Sequence, residues 1–593
     1  KDNSRNGRRG PVRIITIVRR LRSFARLAHA TLQPADIHEG LEDTLVLIHP
    51  DIYEDWSDFE DREYGIVFDR EEAYHPEMVR ILYELVRSKL VTHEKYPFQG
   101  FYFASYQQQS SAQRLESCYA KKGITVSSEG RWRSPQQCYS PGWALGRLTQ
   151  VASDDVDKAY AEGRLLPSDI LLTDAVPARL PLVAGVISLS PVSPNAPAVT
   201  RALSLRVPLV YLRDKAAVEA LTGKEVILRV PRAIYCQVDV VSSEGMVDST
   251  LKKKILARKA IAPLRYTPKA HSGAISRSAH GLTAADIRSV GGRAASMGLL
   301  RATLPMNSPS SVVFTFELWD AFMAQTTKSG KSLADEIEGR LRGFAYPPDM
   351  AKLSAALEGI RRSIENEARF DLPQRWAIMG SLSPFDANRP LLFRSSTNVE
   401  DLDSFVGVGL YESHRGCLRD DQDSDDEGPS HCAADEPMER GVFDAIRKVY
   451  ASFYNVNAYL ERLRRKVDER EVGVALLVHQ GIPEAEVMAN GRVIVSGTSS
   501  FDIRTQAKTH SVTDPDVDMR AERVLTRKYS ESTNLLHELR ERSSLVPAGT
   551  TVLRWTEDYE ALVAMLQKVA GASARAKGGS PSELHVEFVK VEP

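Results

Sequence analysis

The sequence predicts an α/β (α+β) fold made of several domains, and three observations predict it. The chain has 593 residues, enough for about three or four domains of ordinary size. Apolar runs of strand length, at 169–173, 185–188 and 207–211, alternate with stretches whose apolar residues recur at helical spacing, at 77–89 and 196–205. Finally, the run 390–393 (Pro-Leu-Leu-Phe) reads as the end of a buried strand that delivers Arg394, Ser395, Ser396 and Thr397. Glu400, Asp401 and a Gly407-Val408-Gly409 loop follow it.

Composition narrows the class. Hydrophobic content of 42% and charged content of 26% are those of an ordinary globular chain. A formal net charge of −1 gives no global field to recruit nucleic acid or a membrane surface, and no apolar run approaches the ~20 residues of a transmembrane helix. Five cysteines (Cys118, Cys138, Cys236, Cys417, Cys432) are odd in number and lack a CxxC spacing. They argue against a disulfide framework or a zinc site and for a reducing, cytoplasmic location. The first residue is Lys1 with no leader pattern after it, so the chain reads as a piece of a longer protein.

Taken in order, residues 11–108 read as a small N-terminal α/β unit, with a strand at 44–48 and a helix carrying Met78, Ile81, Leu82, Leu85 and Val86. The Arg cluster before it (Arg8, Arg9, Arg13, Arg19, Arg20, Arg22) reads as a solvated arm. Aromatics at 96–106, among them Phe98, Tyr102 and Phe103, read as core, with stacking on sugar rings as the other use. Residues 109–149 read as a linker, 150–245 as a small β/α domain, and 246–285 as a basic linker around Lys252, Lys253, Lys254, Arg258 and Lys259. Residues 286–593 form the last and largest domain. Within it, two apolar runs across 472–495 flank a polar turn ending at Asn490-Gly491, a hairpin signal. The acidic insertion 420–427 matches no calcium loop and reads as a disordered surface loop.

The chemistry concentrates at 392–413. A strand that presents a fixed cation, small hydroxyls and a glycine loop suits a polyphosphate. Arginine contacts phosphate oxygens through a planar, always-charged fork, and glycines let backbone N–H groups approach them. Gly291-Gly292-Arg293 at the start of a helix is a second such element, since helix N-termini favour anions.

The segment Arg394-Ser395-Ser396 through Glu400-Asp401-Leu402, with Gly409-Leu410-Tyr411-Glu412-Ser413, resembles the nucleotide-binding domain of the phosphoenolpyruvate synthase and pyruvate phosphate dikinase family. Its wording is closest to the glucan water dikinase branch. Residues 289–300 resemble the family's Gly-Gly-Lys-Gly-Ala strand-to-helix turn, with Arg293 in place of Lys. Residues 445–462 resemble its following helical segment, 472–495 the strands over adenine, and 585–589 its terminal Asp-Ile-Glu-Trp strand. The resemblance implies an ATP-grasp-type domain with ATP and Mg²⁺ as cofactors. By it, Gly291, Gly292, Arg293, Arg394, Ser395, Ser396 and Gln506 hold nucleotide, Arg394 and Glu587 act in catalysis, and Glu587 holds the metal. Glu400 is expected to orient Arg394.

Residues 150–245 resemble the swivelling phosphohistidine domain of the same dikinases, but Asn195 occupies the histidine's place. An amide nitrogen cannot supply the nucleophile that imidazole provides. The resemblance also aligns Leu584 and Ala572 with two further metal ligands of the family. The chain therefore reads as an ATP-binding phosphotransferase acting without a phosphohistidine relay on an unknown acceptor, a carbohydrate or small molecule. The alternative is a catalytically degenerate nucleotide- or partner-binding pseudoenzyme.

Overall fold

The computed structural model describes residues 44–48, 63–68, 75–88, 99–103, 112, 115–127 and most of 136–591. Within that last range the exceptions are 178–179, 193–196, 213–214, 232–237, 260, 401–404, 406–409, 424–427, 434–435, 511, 513–520, 529–534, 548–549 and 577–582. The N-terminal Arg cluster, Phe98, Asn195, Asp401 and the glycine loop 407–409 thus lie outside the described residues.

The chain divides into two compact units, 1–134 and 135–593. In the first, β1 (Thr44–Ile48), β2 (Glu63–Phe68), β3 (Gln99–Phe103) and β4 (Val126–Ser127) form one sheet in that order. Helix α1 (Pro76–Arg87) buries Met78, Val79, Leu82, Tyr83 and Val86, a stripe at i, i+4 and i+8 as the sequence spacing predicts. Phe101 and Tyr102 are buried, so these aromatics fill a core and are not a sugar-stacking surface.

In the second unit, a seven-stranded sheet has the order β11-β10-β6-β7-β8-β9-β5. Its strands are β5 (Gln136–Ser140), β6 (Gly142–Gln150), β7 (Ile170–Thr173), β8 (Gly185–Ser188), β9 (Leu209–Leu212), β10 (Glu225–Val230) and β11 (Asp239–Ser242). β6 to β9 run parallel, and the central strands β7 and β8 are buried throughout, as parallel strands covered on both faces must be. Helix α2 (Pro197–Leu205) lies between β8 and β9, as the sequence predicts. One expectation is corrected here. β5 and most of β6 come from 136–149, read as linker. Alternation there is short and interrupted by Gly142, which has φ 148°, so the periodicity signal was broken.

A five-stranded sheet follows, ordered β12-β13-β16-β14-β15: β12 (Ser276–Ser278), β13 (Ser311–Phe314), β14 (Leu391–Thr397), β15 (Ser413–Gly416) and β16 (Val474–Gln480). β12 lies in the supposed basic linker, which is anchored at several points. Lys259 packs over the Trp143 ring at 4.7 Å, and Lys269 pairs with Asp320 at 2.5 Å. Helices α3 (Ile287–Thr303), α4 (Phe316–Met323), α5 (Met350–Arg362), α6 (Val442–Ser452) and α7 (Val456–Arg464) belong to this part. One continuous hydrophobic core includes Leu171 and Val186 of the seven-stranded sheet, Phe393 and Val478 of this one, and Ile446 of α6. The two stretches read as separate domains therefore share their interior.

The last sheet, ordered β20-β19-β18-β17-β21, is wholly antiparallel: β17 (Val487–Ser496), β18 (Ser500–Ala507), β19 (Glu522–Lys528), β20 (Leu535–Glu541) and β21 (Glu583–Val591). The hairpin expected across 472–495 is not formed. β16 and β17 belong to different sheets, and Asn490-Gly491 lies inside β17, opposite Gln506 and Thr505. The chain changes sheets through a short 3₁₀ turn at Glu484–Glu486. Helix α8 (Glu557–Ala576) covers one face of the sheet, packing Tyr559, Leu562, Val563 and Leu566 against Val493, Phe501, Ile503 and Val524.

The cysteine expectation is also corrected. Cys417 and Cys432 form a disulfide across 15 residues, and Cys138 is disulfide-bonded too, while Cys118 is free. Spacing alone does not show that the chain doubles back between the two cysteines. It does so because Asp420, itself buried, accepts from His431 N at 2.9 Å and Arg440 N at 2.8 Å. The start of the acidic insertion is thus structural.

Asp421 beside it accepts from Val442 N at the first turn of α6. Burial pushes its carboxyl up to about 7, opposed by the Val442 and Phe443 amides. A raised carboxyl keeps its proton in the fold after the unfolded chain has released it. Its contribution is therefore complete below about pH 4 and is lost as pH rises towards 7. Asp421→Asn should gain stability relative to wild type between pH 5 and pH 8, read from urea midpoints. A constant difference across that range would refute the assignment.

Candidate functional site

The site is built where β14 meets the last sheet. Arg394 lies in the middle of β14, between Leu477 of β16 and Ser413 of β15. The buried residues Phe393 and Ser395 flank it, so alternation turns Arg394 to the other face. Its guanidinium donates from Nη2 to Glu587 Oε2 on β21 at 2.7 Å. The two residues expected to carry the chemistry, 193 positions apart in the chain, are in direct contact across two sheets.

Beside them, α3 contains a break. Gly291 has φ 80° and ψ 170°, a region open essentially to glycine alone, and it separates one helical turn from the main body of the helix. No strand precedes it; the expected strand-to-helix turn is a helix–glycine–helix turn. An ideal Cβ on Gly291 would lie 2.4 Å from the Ser396 carbonyl carbon, so glycine is what lets the turn abut β14. Ala294 N donates to Ser396 Oγ at 3.0 Å. Arg293 donates to Ser395 O at 2.8 Å and to Glu400 Oε1 at 2.5 Å. Ser395, Ser396 and Glu400 are all buried. The two serines therefore tie α3 to β14, and Glu400 orients Arg293 rather than Arg394, correcting that expectation. Gln506 on β18 is buried and accepts from Ser543 Oγ at 2.5 Å.

Register explains what else faces Arg394. Directly opposed residues in antiparallel strands point to the same face. Glu587 is opposite Arg492 of β17, Arg492 is opposite Arg504 of β18, and Arg504 is opposite Arg523 of β19. This row occupies the face away from α8. Sequence reasoning missed Arg492 and Arg504. The signal was present, since each occupies the polar phase of an alternating strand (Gly491-Arg492-Val493 and Ile503-Arg504-Thr505), but it was obscured by reading 472–495 as one hairpin.

Electrostatics follow from this crowding. Burial raises the proton affinity of Glu587, but Arg394 beside it, then Arg293 and Arg492, outweigh that and hold its carboxyl below the ordinary value. Glu587 is thus ionised and encircled by cations, although its side chain remains 56% exposed. Burial, and the approach of Arg394, hold His479 of β16 below the usual imidazole range, so it adds no charge at neutral pH.

Magnesium was expected at Glu587. Mg²⁺ is held by one or two carboxylates together with substrate phosphates. Here the single carboxylate is already engaged by Arg394 and surrounded by arginines. The other two positions aligned with metal ligands lie elsewhere: Leu584 packs into the core beneath α8, and Ala572 is within α8 itself. Among the described residues, the one grouping with ligand spacing is Asp423, His431 and Glu439, beside the Cys417–Cys432 disulfide. The donor set at Glu587 does not fit a preformed magnesium site. Leu584 packs on the face away from Arg394.

Among the described residues no helix is long and apolar enough to cross a membrane. No curated protein matches the chain. Residues 287–512, which include the Gly291 turn, Arg293, Arg394, Glu400, Arg492 and Arg504, match the family model described as pyruvate phosphate dikinase, AMP/ATP-binding domain, and this part of the chain is similar to the nucleotide-binding domains of the phosphoenolpyruvate synthase and pyruvate phosphate dikinase superfamily.

Proposed function

We propose that residues 286–593 form an ATP-grasp-type domain in which the phosphates of ATP lie between β14 and the outer face of β17, β18 and β21. The whole chain would then be an ATP-dependent phosphotransferase. The observation that carries this reading is the contact of Arg394 with Glu587 in a ring completed by Arg293 and Arg492. Phosphoryl transfer asks a protein mostly for positioning and for neutralisation of phosphate charge. A fixed guanidinium on each of several rigid strands meets that need. An entering phosphate would take Arg394 from Glu587, exchanging one anion for another on the same fork. With Asn195 at the histidine's place the transfer would go directly to an acceptor, a carbohydrate or small molecule, or to water.

The test is ³¹P NMR of the products formed from ATP with and without candidate glucans. AMP with orthophosphate is expected for dikinase-type chemistry, and ADP for simple transfer. Saturable ATP binding with no product over a day would leave a nucleotide-binding protein without catalysis. Absence of binding in calorimetry would end the reading altogether.

A further inference from the structure

The arginine row is unusual for a sheet surface. Opposed side chains in an antiparallel pair are only about 4.5–5.5 Å apart at Cβ, and like charges so placed are destabilising. Three arginines nevertheless stand in line on β17, β18 and β19. The outermost is neutralised: Arg523 donates to both carboxylate oxygens of Asp502, at 3.0 and 2.8 Å. The inner two are held more loosely. Arg492 donates from Nη2 to His585 Nδ1 at 2.6 Å, and stands opposite Glu587, whose carboxylate is engaged by Arg394. Arg504 lies 3.7 Å from Asp502, beyond hydrogen-bonding distance, and among the described residues its buried Nε has no hydrogen-bond partner. The buried Nε of Arg394 also lacks one.

Burial, and repulsion from Arg523 and Arg492, weaken the hold of Arg504 on its proton against the pull of Asp502 and Glu541. An anion would relieve this. Unsatisfied guanidinium N–H groups therefore stand on both sheets, linked through Glu587, while the two nearest carboxylates are already engaged, Glu587 by Arg394 and Asp502 by Arg523.

Resting on the nucleotide reading above, we propose that Arg492 and Arg504 form a distal-phosphate subsite, and that this site takes metal-free ATP, its arginines neutralising the charge that a divalent cation would otherwise carry. The proximal phosphate falls to Arg394, and the sugar and base make no use of the row. Binding involves no covalent step.

The test is calorimetry at one fixed ionic strength with ATP, AMP and inorganic triphosphate, each in EDTA and in excess Mg²⁺. In EDTA, ATP and triphosphate should bind wild type with Kd within about threefold of the Mg²⁺ value. Arg504→Gln should weaken metal-free ATP about tenfold or more, the loss of one charge-assisted hydrogen bond, and leave AMP within about twofold. Arg492→Gln should move in the same direction, which guards against a folding fault in either variant. ATP binding that requires Mg²⁺, or two variants with wild-type affinity in EDTA, overturns the subsite while the nucleotide reading stands. No binding of ATP or AMP under any condition overturns both.

Discussion

Arg394→Ala is expected to raise the Kd for ATP by at least about a hundredfold, and no other substitution in the cleft should match it. Two effects add. A hydrogen bond from a guanidinium to a charged partner contributes about 1.5–3 kcal/mol, and its loss alone is about tenfold to a hundredfold. The substitution also strips Glu587 of its partner, at 2.7 Å in wild type, and leaves an ionised carboxylate facing the incoming phosphates. Removing that repulsion separates the terms: Arg394→Ala with Glu587→Gln should recover part of the affinity, while Glu587→Gln alone should bind no worse than wild type. Arg394→Lys keeps the charge but loses the planar fork, and should fall between. Calorimetry of the four variants decides it. Affinity within threefold of wild type for Arg394→Ala would place the phosphates elsewhere.

Much of this site was legible because its chemistry is local in sequence. The run through Arg394-Ser395-Ser396 announces itself, and the strand at Glu587 has a clear alternating pattern. What the sequence could not show was partnership. Glu400, six residues after Arg394, looked like its natural mate, yet it reaches Arg293. Alternation from Arg394 does not carry to Glu400, because β14 ends at Thr397 and the chain has left the strand by then; Glu400 is buried and paired with Arg293 of α3. Alternation does move Leu584 out of consideration. Three residues from Glu587 on a strand is the wrong parity, so a ligand there would face α8. Arg492 and Arg504 were overlooked because their meaning is a matter of register between strands, and register needs the sheet. The failed hairpin at Asn490-Gly491 has a similar cause. A favourable turn dipeptide was overridden because β17 gains a partner on each side, β18 and β21.

The second large effect is expected at Gly291. Alanine there is required to adopt φ 80° and ψ 170°, which costs about 1–3 kcal/mol before any contact is considered. Its Cβ would also lie 2.4 Å from Ser396 Oγ and the Ser396 carbonyl carbon, and 2.5 Å from the carbonyl oxygen. The obstacle is backbone in the centre of a sheet and cannot swing aside as a side-chain tip could, so α3 must retreat from β14. We expect Gly291→Ala to cost at least about 3 kcal/mol in all, a midpoint lower by about 3–5 °C in a unit of this size. Gly380 offers the matching control. It lies within the helix Leu372–Leu382, and an added Cβ there meets nothing within 4 Å. Gly380→Ala should therefore stabilise by about 0.5–1 kcal/mol. The opposite signs distinguish a conformational requirement from general intolerance of substitution. Any Gly291→Ala that does fold should also bind ATP more weakly, because retreat of α3 withdraws Arg293 from its bonds to Ser395 and Glu400. Unchanged melting together with unchanged ATP affinity in Gly291→Ala would mean that the turn is not what holds Arg293 at the site.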